Sequence, residues 1–83
     1  MEKSLYSENQ EKLQSLLREV RENAELRQED VAEALEVPQS FVSKIESGER
    51  RLDILELRAV CEALGITLIG FCRKLEKKIE ADS

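Results

Sequence analysis

The chain predicts a small all-α domain, and three observations carry that expectation. Leu, Ile, Val and Ala supply nearly all the apolar content, with two Phe, one Tyr and no Trp. They sit among abundant Glu, Lys, Arg and Gln, a mixture that favours helix. Apolar residues recur at three- and four-residue steps instead of alternating. Only three Gly and one Pro leave few places for the tight turns that a sheet needs. At 83 residues (1–83) the chain reads as one domain, burying about 60–65% of its unfolded surface around a small core.

The elements follow in order. Residues 1–7 are expected to be frayed, with Leu5 and Tyr6 free to tuck against a neighbour. From Glu8 to about Asn23, the positions of Leu13, Leu16, Leu17, Val20 and then Ala24 describe an amphipathic helix. Leu26 marks a short connection. A second helix covers roughly 28–35, with Val31, Ala32 and Leu35 inward. Glu36 and Val37 make the turn. Pro38 holds Val37 extended and suits a first helical position, so a third helix is expected over 38–47. Gly48 supplies the left-handed stop, and Leu52 in the loop 49–52 is expected to be buried. Asp53 with Glu56 forms a capping box, so a fourth helix starts at Ile54. Its inward face is Ile54, Leu57, Val60, Cys61 and Leu64. Gly65 ends it and Ile66 folds back. Thr67 caps a fifth helix over about 67–80, in which Leu68, Phe71, Cys72, Leu75 and Ile79 repeat at helical spacing.

Several classes of function are disfavoured. No apolar run is long enough to span a bilayer, and the start MEKSLYSENQ lacks the apolar stretch of a signal peptide. A cytoplasmic protein without membrane contact is expected. Cys61 and Cys72 stand in a C-x10-C spacing, and the chain has no His. That fits no zinc pattern, so no metal and no cofactor are expected, and both thiols read as small buried apolar residues. No catalytic residue is identified. Neither Cys has a base nearby in sequence, and neither a phosphate-cradling Gly-rich loop nor a catalytic carboxylate pair is present.

The informative stretch is 28–53, QEDVAEALEVPQSFVSKIESGERRLD. It reads as two short helices joined by a tight turn, a helix-turn-helix over about 28–47. On the second of them Gln39, Ser40, Ser43, Lys44 and Ser47 share one arc, while Val42, Ile45 and Phe41 fall on the other. One face suits a core and the other offers hydrogen-bonding side chains to a partner, the division a DNA-reading helix requires. The formal charge of −5 does not advertise nucleic-acid binding, and residues 38–51 carry a local net of only +1. Sequence-blind phosphate attraction is therefore expected to be weak. Two placements fit Phe41: the core, or the edge of a DNA or dimer contact.

Three segments, LRQEDVAEAL (26–35), PQSFVSKIESGERRLD (38–53) and CEALGI (61–66), resemble the phage Cro and repressor-type, or xenobiotic-response-element-type, helix-turn-helix regulators. The resemblance covers roughly residues 10–75. It implies a compact five-helix, lambda-repressor-like DNA-binding domain that works as a homodimer on double-stranded DNA. Carried over by position, it implies that Gln39, Ser40, Ser43 and Lys44 read bases. Gln pairs with adenine, Lys with guanine, and Ser with either. Gln28 would hold a phosphate at a helix N-terminus, and Arg27, Ser47, Arg50 and Arg51 would track the backbone. Singly, each is an ordinary surface residue; together, behind a proline start and before a glycine stop, they form a reading face. The resemblance also implies an ion pair between Arg21 and Glu46 that fixes the first helix against the third. Three positions depart from the family pattern. Glu36 stands where Gly or Asn is usual in the turn, Arg27 where a Thr or Ser cap is usual, and Glu25 where Gly is usual. The first would cost about 1 kcal/mol if the left-handed turn is kept.

A dimer surface is expected on the fifth helix, where Leu75 and Ile79 run beyond the core of a four-helix unit and, with Phe71 and Ile69, suit packing against a second copy. The same residues equally suit covering the first helix, near Leu5 and Tyr6. Lys74, Lys77 and Lys78 would form a solvated rim. The leading expectation is a transcriptional repressor acting as a homodimer on a palindromic operator. The alternative is a protein-interaction module of the same fold, such as an antitoxin holding a toxin partner, favoured by the acidic charge.

Overall fold

The computed structural model describes residues 8–81; the expectations for Leu5, Tyr6 and the frayed 1–7 segment lie outside them. Five helices follow in order: α1 (Glu8–Asn23), α2 (Gln28–Leu35), α3 (Gln39–Ser47), α4 (Ile54–Leu64) and α5 (Leu68–Ala81). α2 packs on α3 and α4, α1 on α3 and α5, and α4 on α5. The α1, α2, α3 and α4 faces expected from the sequence close around Leu16, Leu17, Val31, Ala32, Val42, Ile45, Val60, Cys61 and Leu64. Burial and the neighbouring Cys72 push the Cys61 thiol up to about 11, so it stays protonated and behaves as a small apolar residue. Cys72 is only half-buried, which corrects its expected burial.

All four connections close in the same way. Leu26 N–H donates to Arg21 O at 3.1 Å, Val37 to Ala32 at 3.0 Å, Glu49 to Lys44 at 2.9 Å and Ile66 to Cys61 at 3.0 Å. Each is the six-residue closure of a Schellman-type stop, which demands a left-handed residue one position earlier. Gly48 and Gly65 supply it with φ of 88° and 80°, whereas Glu25 and Glu36 adopt 61° and 60°. The family-type turn is thus kept despite its glutamates, because the main-chain closure outweighs the side-chain penalty. Glu36→Gly is expected to stabilise the domain by about 1 kcal/mol, less the entropy glycine returns to the unfolded chain. A urea midpoint equal to or below that of the parent would refute this.

Three further expectations need correction. Pro38 is the N-cap of α3, with an extended ψ of 153°, so the helix starts one residue later. Ile54 is 60% exposed: it is the first residue of α4 and lies at the edge of the arc that Leu57, Val60 and Leu64 define. Phe71 is 0% exposed and is the largest fully buried side chain, so it fills the core and is not available to a second copy. α5 packs on both α1 and α4, which turns its first turns inward. Leu75 also packs against the core, and Ile79 is half-buried.

Candidate nucleic-acid interface

The turn from α2 to α3 sets the face of α3. Val42 and Ile45 are buried, and Phe41 is half-buried against the core. Gln39, Ser40, Ser43, Lys44 and Ser47 are all exposed. Pro38 offers no side-chain cap, so the leading amides of α3 are unoccupied by any capping side chain. The exposed arc is polar, with short side chains and one lysine, and it projects from a helix seated on a rigid apolar base.

Beneath this face runs a continuous polar chain. Arg21 Nε donates to Glu46 Oε2 at 2.7 Å and Arg21 Nη2 to Glu46 Oε1 at 3.1 Å. Arg21 Nη1 donates to the Leu26 carbonyl at 2.9 Å. The side chains are only 10% and 7% exposed, and the bond from Glu46 holds the Arg21 guanidinium above its ordinary range. Gln28 Nε2 then donates to Glu46 Oε1 at 3.1 Å, and Gln39 Nε2 donates to Gln28 Oε1 at 3.3 Å. The buried pair thus fixes α1 against α3, and Gln28 extends its hold to the first residue of the exposed arc.

The arginines flanking the face are engaged. Arg27 binds Asp30 through Nη2 at 3.1 Å and Nε at 3.3 Å, and reaches Glu29 through Nη1 at 2.9 Å. Asp30 also accepts the Arg27 backbone N–H at 2.8 Å. The half of the capping box that an acidic third residue supplies is therefore present, although Arg27 itself has no acceptor to give. Arg50 sits over the Phe41 ring, its Cζ 4.5 Å from the ring centroid. Its Nη2 and Nη1 meet Glu56 at 2.9 and 3.3 Å, and Nη1 donates to the Arg51 carbonyl at 2.9 Å. Glu56 simultaneously accepts the Asp53 N–H at 3.0 Å and closes the α4 capping box. Ser47 Oγ lies 3.2 Å from Lys44 O and 3.4 Å from Glu49, and Arg51 is exposed.

The holds of Asp30 on Arg27 and of Glu56 on Arg50 were not read from the sequence. The first was legible as an acid three residues after Arg27. The second spans a loop, where helical spacing gives no signal.

The Arg27 guanidinium holds the Asp30 carboxyl below its ordinary range, and Arg50 does the same for Glu56. A carboxyl depressed on folding contributes stability above its unfolded value, around 4, and that contribution is lost as pH falls through the folded value. The melting temperatures of the parent and of an Asp30→Asn, Glu56→Gln double variant should therefore converge as pH drops below about 4. A gap constant from pH 7 to pH 3 would contradict this.

Among the described residues no group of three or more His, Cys, Asp or Glu is placed to hold a metal, and no helix is long and apolar enough to cross a membrane. Residues 17–71 match the family model described as helix-turn-helix. The chain is similar to the control protein C.MunI of a Mycoplasma species, 31% identical over 58 residues that cover 70% of this chain and 78% of that protein. Among solved structures it is similar to an XRE-family-like protein from Pseudomonas syringae pv. tomato str. DC3000. That match has a TM-score of 0.82 and 39% identity, over 90% of this chain and 92% of the other. The wild-type restriction-modification controller protein C.Esp1396I matches with a TM-score of 0.81 and 25% identity, over 88% and 95% of the two chains. The exposed polar arc on α3, the family model and these relatives agree: the chain belongs to the Cro/repressor-type, or XRE, helix-turn-helix family of DNA-binding transcription regulators.

Proposed function

We propose that this regulator is a cytoplasmic repressor that binds a palindromic operator as a homodimer, with Gln39, Ser40, Ser43 and Lys44 reading bases in the major groove. The observation that carries this is the exposed arc of α3, whose leading residue Gln39 is tied through Gln28 to the buried pair of Arg21 and Glu46. A base-reading side chain that is already oriented loses less freedom on docking. Gln28, Arg27, Ser47, Arg50 and Arg51 flank the arc and supply the backbone contacts that set register. Likeness to a control protein and to a restriction-modification controller protein supports the regulatory role.

One helix-turn-helix reads few base pairs, and a two-fold dimer doubles them with half-sites about one turn, ~34 Å, apart. With Phe71 inside the core, the α5 surface available to a second copy is the outward one. Ile69 is 66% exposed there, beside the half-buried Leu68 and Cys72. Arg73, Glu76 and Lys77 border it, a mixed-sign rim that a second copy can complement.

Selection from a random duplex library tests the proposal. The wild type should enrich a palindrome with half-sites one turn apart. Gln39→Ala with Lys44→Ala should weaken binding to it by about a hundredfold or more, since a good side-chain pairing to a base edge is worth about 1–3 kcal/mol. Failure of the folded wild type to enrich any duplex at low salt would refute it and direct attention to a protein partner.

A further inference from the structure

Resting on the DNA-binding reading, a second property follows from how the flanking arginines are held. A regulator of this size must find its site among a vast excess of other DNA, and sequence-independent affinity comes from cations free to displace counterions from phosphates. Arg27 has two carboxylates on its guanidinium, and Arg50 has one, with the ring of Phe41 behind it. Asp30 and Glu56 each engage two nitrogens of their arginine, the geometry a phosphate would use. Both carboxylates are themselves fixed, Asp30 by the Arg27 N–H and Glu56 by the Asp53 N–H. They cannot swing away without giving up a helix cap. On the exposed arc itself, Lys44 makes no ion pair with any described residue.

We propose that Asp30 and Glu56 are specificity-determining residues that occupy Arg27 and Arg50 as intramolecular substitutes for phosphate. Off its operator neither arginine is then free to displace counterions, and the protein's grip on arbitrary DNA is weakened. At the operator, base contacts from α3 bring backbone phosphates close enough to share or replace the carboxylates. Discrimination therefore arises from suppressed background binding as well as from base reading.

The test uses Asp30→Asn and Glu56→Gln, which keep an oxygen for each cap and remove the charge. Glu19→Gln serves as the control, because it releases Lys78 from a 3.0 Å pair between α1 and α5 with the same change in net charge. Anisotropy titrations against the selected operator and a scrambled duplex, over a series of salt concentrations, give both affinities for each protein, with melting curves confirming the fold. For scrambled duplex, each of the two variants should bind about two- to fivefold tighter, the usual worth of one exposed ion pair. The salt dependence should steepen by roughly 0.9 in the log–log slope for Glu56→Gln, which frees Arg50, and by less for Asp30→Asn, because Glu29 keeps its hold on Arg27 at 2.9 Å. Operator affinity should rise less, so the ratio of the two falls. Equal gains from Glu19→Gln would overturn the proposal, because net charge alone would then explain them. Unchanged scrambled-duplex binding in both variants, with an operator still bound by the wild type, would overturn it and leave the DNA-binding reading intact. No binding by any of the proteins would remove both.

Discussion

Glu46→Ala is expected to destabilise the domain by about 3–5 kcal/mol, because it leaves Arg21 buried with only the Leu26 carbonyl as a partner. For a chain of this length that lowers the melting temperature by at least about 12 °C. The effect reports an orphaned charge and not the net worth of the ion pair. A double variant, Arg21→Met with Glu46→Leu, removes both charges and is expected to melt close to the parent or above it. Gln28 would then lose its acceptor on Glu46, and with it the link that steadies Gln39. The double variant should therefore be stable yet weaker on DNA. A stable Glu46→Ala protein would show that the pair is solvated in solution.

Phe71→Ala should cost about 3–5 kcal/mol, from the transfer energy of the missing ring and from the cavity left where α5 meets α1 and α4. A domain of this size holds only about 4–12 kcal/mol in total, so a large share of the folded population is at risk. Phe71→Leu keeps much of the volume and should cost less. The loss should be the same at low and high protein concentration, because Phe71 is fully buried within one chain. A midpoint loss that grows on dilution would return Phe71 to an interface between copies. Urea midpoints at two concentrations separate these outcomes.

Much of the fold was legible because the sequence punctuates itself. Asp53 with Glu56, Gly48, Gly65 and Thr67 mark helix ends through local hydrogen bonds, and Thr67 does accept the Gly70 N–H at 2.9 Å. Periodicity identified Leu57, Val60 and Leu64 as inward. It failed at Ile54, because a helix's first residue can keep the period and still sit at the edge of the buried arc. It failed differently at Phe71. The spacing placed that residue correctly on the apolar stripe of α5, but the stripe alone does not say whether the chain or a second copy covers it. On the candidate interface, the outward placement of Gln39, Ser40, Ser43 and Lys44 followed from angle alone. The bonds from Glu46 to Gln28 and from Glu56 to Arg50 join residues 18 and 6 positions apart. The first is set by how α2 docks on α3 and the second by the path of the α3–α4 loop, which no helical periodicity encodes.

The glutamates in left-handed turns bear on how readily this domain can change. Most substitutions on a folded protein destabilise it, and those that take it below its folding threshold are purged whatever they do for function. Glu25 and Glu36 each hold a conformation that glycine adopts without strain. Each is therefore a position where one substitution can restore stability without touching α3. A lineage carrying Glu25→Gly or Glu36→Gly could accept an additional costly exchange on the exposed arc and remain folded. The two turns, neither of them part of the exposed arc, thus bear on how many trial sequences the recognition helix can explore.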